Sequence, residues 1–210
     1  MALEITWLGH DSFKIESDKN FKVYIDPWKI EKKDEASLVL ITHSHYDHFS
    51  PEDVKKVQGE NTHILVTGDV ADKLKGKVRG VGPDEDISLQ DVNVKTYPAY
   101  NIDKPYHPRE NAWVGYVVKL DNVSIYHSGD TDFIPEMEKI KPYVALLPIG
   151  GIYTMDVEDA LRAVELLNPE LVIPMHYGDI VGDTSDAKRF AKKCKVQVQV
   201  LSKGESLKVE

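Results

Sequence analysis

HSHYDH, at residues 43–48, is the stretch that decides how this 210-residue chain is interpreted, and it directly follows the apolar run LVLI at residues 38–41. An unbroken apolar run of this length is typical of a strand buried on both faces. Imidazole nitrogens and carboxylate oxygens are the ligands that Zn(II), Ni(II), Mn(II) and Fe(II) accept. If the extended backbone continues past the strand, His43 and His45 point the same way and can share one ion. Asp47 and His48 then lie beyond the bend and can reach a second ion.

Two further segments place a metal-ligating residue directly after a predicted strand. Asp130 lies in HSGDT (127–131), and His176 lies in PMHY (174–177). Functional side chains collect on the loops that a rigid scaffold positions, so we expect both residues to lie near the HSHYDH stretch. A carboxylate has two oxygens, and Asp130 can therefore bridge two cations and offset their mutual repulsion.

The periodicity of the chain predicts two similar halves. Period-two alternation at residues 3–7, 12–16 and 21–25 indicates an antiparallel meander, and the same signal returns between residues 92 and 126. Each half then changes to alternating strands and helices, with helices predicted at 50–57, 69–74, 134–140, 157–167 and 185–194 and a last strand at 196–201. We expect two mixed sheets that pack face to face with helices outside. No Pro-, Gly- or Ser-rich linker divides the halves, so residues 1–210 are interpreted as one domain.

Composition and charge limit the compartment and the partners. The net charge of −9 creates a field that repels polyanions, which argues against a protein that grips duplex nucleic acid. A single cysteine, Cys194, excludes thiolate zinc fingers and iron–sulfur clusters and favours a reducing compartment. No export signal and no apolar run of about 20 residues are found, so we expect a cytoplasmic protein that does not enter membranes. The three tryptophans belong either to the core or to an interface of a homo-oligomer.

Taken together, these motifs resemble the metallo-β-lactamase superfamily. The HSHYDH stretch is highly specific for it, and the segments around Asp130 and His176 agree. GH at 9–10, IDP at 25–27 and LPIG at 147–150 are similar to a narrower branch, the small metal-dependent hydrolases related to ascorbate-6-phosphate lactonase. The resemblance extends from about residue 3 to residue 180. It implies a four-layer αβ/βα sandwich of two mixed sheets with outer helices and a site at the sheet edges.

The resemblance also implies a ligand set for two divalent ions. By the family pattern, three histidines bind one ion and three further residues bind the other. A carboxylate bridges the two ions. The corresponding residues are His43 and His45 for the first ion, Asp47, His48 and His176 for the second, and Asp130 as the bridge.

The third histidine of the first ion is the point at which this chain departs from the pattern. Asn101 stands at the expected position, and His107 follows six residues later in a loop that contains two prolines. Either His107 substitutes, or Asn101 contributes its amide oxygen, or the first site is only partly occupied. We expect His107, because imidazole holds these metals better than an amide does.

Two divalent ions about 3.5–4 Å apart lower the pKa of a shared water towards 7 and stabilise the oxyanion that forms on attack. We therefore predict hydrolysis of an ester-type bond by a metal-activated hydroxide, with zinc as the expected metal and Mn, Ni or Fe as alternatives. Asp47 would orient the hydroxide, and His176 would contact the departing oxygen. A phosphodiester of a small molecule or a short single strand is favoured over a lactone. The alternative from another class is a metal-binding protein without turnover.

Overall fold

The computed structural model describes residues 2–89 and 91–210, and their strands form two seven-stranded mixed sheets. Strands are numbered in chain order. The first sheet contains, in spatial order, β14 (Ser206–Val209), β1 (Leu3–Gly9), β2 (Ser12–Ser17), β3 (Lys22–Ile25), β4 (Ala36–Ile41), β5 (Gln58–Thr67) and β6 (Lys77–Val81). The second contains β13 (Gln197–Val198), β12 (Leu171–Met175), β11 (Val144–Pro148), β10 (Val123–His127), β9 (Val114–Leu120), β8 (Val92–Pro98) and β7 (Asp86–Leu89).

The two sheets share one plan. Strands β1 to β3 pair antiparallel and β3 to β6 pair parallel, while β7 to β10 pair antiparallel and β10 to β13 pair parallel. The last strand, β14, crosses back to the first sheet and pairs antiparallel with β1. This arrangement confirms the predicted sandwich of two mixed sheets, although its helices are few.

In the described part of the chain, three α-helices lie outside the sheets: α1 (Pro51–Val57), α2 (Val157–Leu167) and α3 (Thr184–Lys193). The α1 helix begins where the sequence predicts, because the Ser50 side chain accepts a hydrogen bond from the Asp53 amide and proline occupies the first turn. Helix α2 buries an apolar face and ends at Asn168, whose backbone is left-handed.

Three predicted elements are shorter or tighter than expected. The helices expected at 69–74 and 134–140 are 3₁₀ turns at Ala71–Lys73 and Pro135–Lys139. Segments of this length provide too few turns to repay helix nucleation. The strand expected at 196–201 pairs with β12 only over Gln197–Val198, because the chain then leaves the second sheet to reach β1.

The main core lies between the two sheets. Ile5, Phe13 and Ile15 from the first sheet and Val118 and Ile125 from the second are fully buried in it. Each such side chain contributes about 1.5–3 kcal/mol when it leaves water. The buried apolar layer fixes the distance between the sheets and so the position of the loops at their edges. No helix within the described part of the chain has the length and apolarity that crossing a membrane requires.

Candidate metal centre

The HSHYDH stretch follows β4 directly and turns back on itself. The backbone amides of His48 and Phe49 both donate to the carbonyl of His45, at 3.0 and 2.7 Å. This tight turn lets His43 and His48 approach each other, with ring centroids 3.9 Å apart. The side chains of both residues are buried. The predicted position of the stretch at the end of a buried strand is therefore confirmed.

The first group of metal-ligating atoms consists of three imidazoles. His43, His45 and His107 each offer a ring nitrogen, and these atoms all lie within 4.8 Å of one another. The indole of Trp113 packs against all three rings, with centroid distances of 4.9, 4.8 and 5.6 Å respectively. Trp113 is itself held by a 3.0 Å hydrogen bond from its Nε1 to Asp69. The group therefore rests on a fixed aromatic platform.

Asn101 lies next to this group but uses its amide oxygen elsewhere. Its Oδ1 accepts from both the backbone amide and the Nδ1 of His107, each at 3.0 Å. Its Nδ2 donates to Asp132 and to the carbonyl of Tyr153. The bond to Nδ1 fixes the tautomer of His107 that leaves Nε2 free to bind a metal. The structure thus brings His107 to the first group and makes Asn101 the residue that orients it.

This arrangement predicts different effects for two alanine substitutions. His107→Ala removes a donor atom and should abolish binding of the ion that the first group would hold. Asn101→Ala removes only the partner that orients His107. It should weaken binding of that ion by about 10–100-fold without abolishing it. Metal analysis after equilibrium dialysis at a fixed free zinc concentration measures both. Complete loss of the ion in Asn101→Ala, with retention in His107→Ala, would reverse the two roles.

The second group joins residues from three distant parts of the chain. His10, Asp11, His48 and His176 each offer one atom, all within 4.8 Å of one another. The Nε2 of His48 lies 3.4 Å from Asp11 Oδ2, and the Nε2 of His176 lies 3.8 Å from the same oxygen. The other ring nitrogen of His48 bonds to Asp26 Oδ2 at 2.8 Å, which directs Nε2 into the group.

Asp47 lies at the rim of the second group. Its Oδ2 is 3.7 Å from the Nε2 of His48 and 3.1 Å from the Nε2 of His10. Its side chain is 12% exposed, whereas those of His48 and Asp11 are fully buried. Asp47 is therefore the carboxylate of this group that water can reach.

Asp130 lies between the two groups. Its Oδ2 is 3.2 Å from the Nε2 of His107 in the first group and 3.1 Å from the Nε2 of His176 in the second. Its Oδ1 is 3.4 Å from the Nε2 of His48. A carboxylate in this position can contact ions held by either group.

The electrostatics of the centre are those of crowded, buried acids and imidazoles. Burial favours the neutral form of Asp130, but the positive charges of His176 and His48 outweigh it and hold the pKa of Asp130 well below its usual range. Burial likewise lowers the pKa of His176, but Asp130 and Asp11 raise it to about 9. Burial lowers the pKa of His43 well below its usual value. His43 is therefore neutral at pH 7, as a metal ligand must be.

Several donor atoms of the centre lack other partners, which fits the binding of divalent cations. Within residues 2–89 and 91–210, several buried polar atoms of this centre have no hydrogen-bond partner: Asp11 Oδ1 and Oδ2, His48 Nε2, His107 Nε2 and Asp130 Oδ1. Buried polar groups normally have partners, and each exception needs a cause. A cation in each group would satisfy these atoms, and imidazole with carboxylate is the donor set that such ions accept.

The sequence reasoning did not identify Asp11 or Asp26 as site residues. Asp11 lies in the turn that joins β1 to β2, where an acid is most often only a turn residue. Asp26 follows β3 and accepts hydrogen bonds from the amide and the hydroxyl of Thr42 as well as from His48. The available signal was the position of each acid at a strand end beside a recognised motif.

The fold and the centre define a protein of the metallo-β-lactamase type, and comparison with known proteins agrees. A family model described as a beta-lactamase superfamily domain matches residues 4–176. A UPF0173 metal-dependent hydrolase from Pyrococcus furiosus is 35% identical over an alignment that covers 99% of this chain and all of that protein. A second, from Aeropyrum pernix, is 34% identical with 96% of each chain covered. The chain therefore belongs to the beta-lactamase superfamily and, within it, to the UPF0173 family of metal-dependent hydrolases.

Solved structures show the same fold. Igni18, a novel metallo hydrolase from Ignicoccus hospitalis, has a TM-score of 0.81 and 29% identity, and the match covers 100% of this chain and 99% of that one. The metallo-beta-lactamase fold protein YhfI from Bacillus subtilis has a TM-score of 0.79 at 10% identity over the whole of both chains. The predicted superfamily and fold are confirmed.

Proposed function

We propose that the protein is a metal-dependent hydrolase of phosphodiester bonds in small molecules or short single strands, with two divalent cations as cofactors. The observation that carries this proposal is the pair of adjacent donor groups with Asp130 between them. In this proposal, His43, His45 and His107 hold the first cation, Asp47, His48 and His176 hold the second, and Asp130 contacts both. Zinc is the cation expected at the three imidazoles.

When bound, two such cations lower the pKa of a coordinated water and stabilise negative charge on the attacked group and on the leaving oxygen. The residues of the chain supply position and proton handling. Asp47 is reachable by solvent and is held by His10, so its carboxylate can orient the attacking water and accept a hydrogen bond from it. His176 is 1% exposed, and its Nε2 faces Asp130. This burial favours metal binding by His176 over direct contact with the leaving group.

Charge favours an anionic substrate over a lactone. Two divalent cations carry more positive charge than the three carboxylates that face them: Asp11, Asp47 and Asp130. The loop that carries His107 adds little, because Arg109 pairs with Glu136 and Lys104 pairs with Asp132. The positive charge beside a substrate therefore comes from the cations themselves. Two cations can stabilise both the attacking and the leaving oxygens of a phosphodiester, whereas a lactone presents one polarised carbonyl.

The test compares two substrate classes on one preparation. The metal-loaded protein is assayed with bis(p-nitrophenyl) phosphate and with a simple lactone such as γ-butyrolactone. We expect a higher kcat/KM for the phosphodiester, and activity that disappears with a chelator and returns with the metal. A higher kcat/KM for the lactone would contradict the phosphodiester proposal and indicate that the substrate is a lactone. Full metal occupancy with neither activity would indicate a metal-binding protein without turnover.

A further inference from the structure

Asp11 is a buried carboxylate with no hydrogen-bond partner among the residues that the structure describes. Its side chain is fully buried, and neither Oδ1 nor Oδ2 accepts a hydrogen bond there. Its Oδ2 lies 3.4 Å from the Nε2 of His48 and 3.8 Å from those of His10 and His176. An ionised carboxylate that leaves water without hydrogen bonds costs several kcal/mol. A cation among these atoms offsets that cost.

The surrounding backbone holds Asp11 in this position. The Nε2 of His127 donates to the carbonyl oxygen of Asp11 at 2.8 Å, and the Nδ1 of His127 accepts from the Gly129 amide at 3.2 Å. The carbonyl of the preceding residue, His10, accepts from the indole of Trp7 at 2.8 Å and from the amide of His176 at 3.2 Å. These bonds tie the turn between β1 and β2 to two loops of the second sheet. The carboxylate is therefore fixed towards the second donor group before any ion arrives.

The two donor groups differ in chemistry when Asp11 is counted. The first group contains three imidazoles: His43, His45 and His107. The second also contains three imidazoles, those of His10, His48 and His176, but adds the carboxylates of Asp11 and, at its rim, Asp47. Imidazole suits zinc, whereas carboxylate oxygens suit manganese and other oxygen-preferring cations. An additional carboxylate also raises the number of ligands available to a six-coordinate ion.

We propose that Asp11 is a ligand of the second cation and that its carboxylate shifts this position towards manganese, relative to the zinc-preferring first position. Because it assigns a ligand of the second cation, the inference rests on the two-cation site of the proposed function. It goes further by making the two positions unequal, so that a mixed zinc–manganese pair is the form that the donor atoms favour.

The test measures manganese binding directly and does not depend on activity. The purified full chain is freed of metal, loaded with one equivalent of zinc and titrated with Mn²⁺, and the free ion is followed by electron paramagnetic resonance. We expect tight binding of one Mn²⁺ by the unsubstituted protein. Asp11→Asn and Asp11→Ser should weaken it at least tenfold, because loss even of a residue that only orients a ligand costs about 10–100-fold. Binding of the first zinc should be unchanged.

Asp121→Asn is the matched control. Asp121 also has a buried carboxylate oxygen without a hydrogen-bond partner in the described chain. However, it lies in the turn between β9 and β10, at the opposite end of β10 from Asp130. We expect Mn²⁺ binding by this variant to match that of the unsubstituted protein. Equal weakening in Asp121→Asn and Asp11→Asn would overturn the assignment, because it would show a general effect of losing a buried charge.

The stability of the metal-free variants separates ligation from a structural role. If Asp11 serves a cation, its carboxyl group has no hydrogen bond to lose in the metal-free protein, so Asp11→Asn should leave the metal-free Tm unchanged or raise it. A lower metal-free Tm with unchanged Mn²⁺ affinity would overturn the inference and leave the proposed function standing. An unsubstituted protein that binds only one ion in total would instead overturn the two-cation site on which both proposals rest.

Discussion

Asp130→Asn is expected to lower kcat for bis(p-nitrophenyl) phosphate by at least about 10³-fold, equivalent to several kcal/mol of transition-state stabilisation. The Oδ2 atom of Asp130 lies 3.2 Å from the Nε2 of His107 in the first donor group and 3.1 Å from the Nε2 of His176 in the second. Its replacement by a neutral amide removes the negative charge that offsets repulsion between two cations. The substituted residue also has one oxygen where the carboxylate has two.

The same substitution should reduce the metal content from two ions to one or fewer. Metal analysis and steady-state kinetics on the same preparation test both effects, with Asp121→Asn as the control for loss of a buried carboxylate. Circular dichroism establishes that the variant is folded. Retention of two ions together with an unchanged kcat would show that Asp130 does not hold the cations.

Removal of metal is expected to lower the Tm by about 10 °C or more. An ion present at 1,000 times its Kd stabilises the folded state by about 4 kcal/mol, and 1 kcal/mol corresponds to about 2–4 °C for a chain of this size. The physical reason is visible in the centre, where buried oxygens of Asp11 and Asp130 lack hydrogen-bond partners in the described chain. Without cations, burial raises the pKa of Asp11 well above its usual range, so its carboxyl group must be protonated at neutral pH, which costs free energy of folding.

Scanning calorimetry of the chelated and metal-saturated protein measures this shift. The matched control is the double variant His43→Ala/His48→Ala, which removes one donor from each group and should lose most of the metal-dependent part of the Tm. A Tm that does not respond to chelator in the unsubstituted protein, while metal analysis shows that the metal has left, would contradict the proposed coupling of the cations to folding stability.

The parts of the site that could be predicted from sequence are those that a local motif carries. The residue types of the HSHYDH stretch indicate metal binding, and its position after an apolar run predicts that it lies at a strand end. Asp130 and His176 follow strands that the period-two pattern or an apolar run also predicts. The structure places all of them at one edge because the sheets hold those strand ends together.

Asp11 and Asp26 were missed because their neighbours are distant in sequence. An acid in a short turn between two strands is most often only a turn residue. Asp11 becomes part of the centre when β12 brings His176 against the β1–β2 turn, where the His176 amide bonds to the carbonyl of His10. Asp26 acquires its role through β3–β4 pairing, which places it beside Thr42 and His48. The local pattern marks each acid as a strand-end residue, but it does not predict either contact.

The fold shows the same division between local and distant information. The predicted meanders and helices α1 to α3 depend on alternation, capping residues and apolar faces, and these features are local. The pairing of β14 with β1 places Leu207 opposite Ile5, two residues that are separated by nearly the whole length of the sequence. The four residues of β14 form too short a pattern to predict this pairing. The 3₁₀ turns at Ala71–Lys73 and Pro135–Lys139 were predicted as helices because periodicity alone does not measure how far a helix can extend.

X-ray diffraction data collected at the zinc and manganese absorption edges from metal-loaded crystals test the central claim most directly. The account predicts two anomalous peaks about 3.5–4 Å apart on either side of the Asp130 carboxylate. One should lie among the ring nitrogens of His43, His45 and His107, and the other among His48, His176 and Asp11. A single peak, or a peak bound by surface residues away from this edge of the sheets, would contradict it.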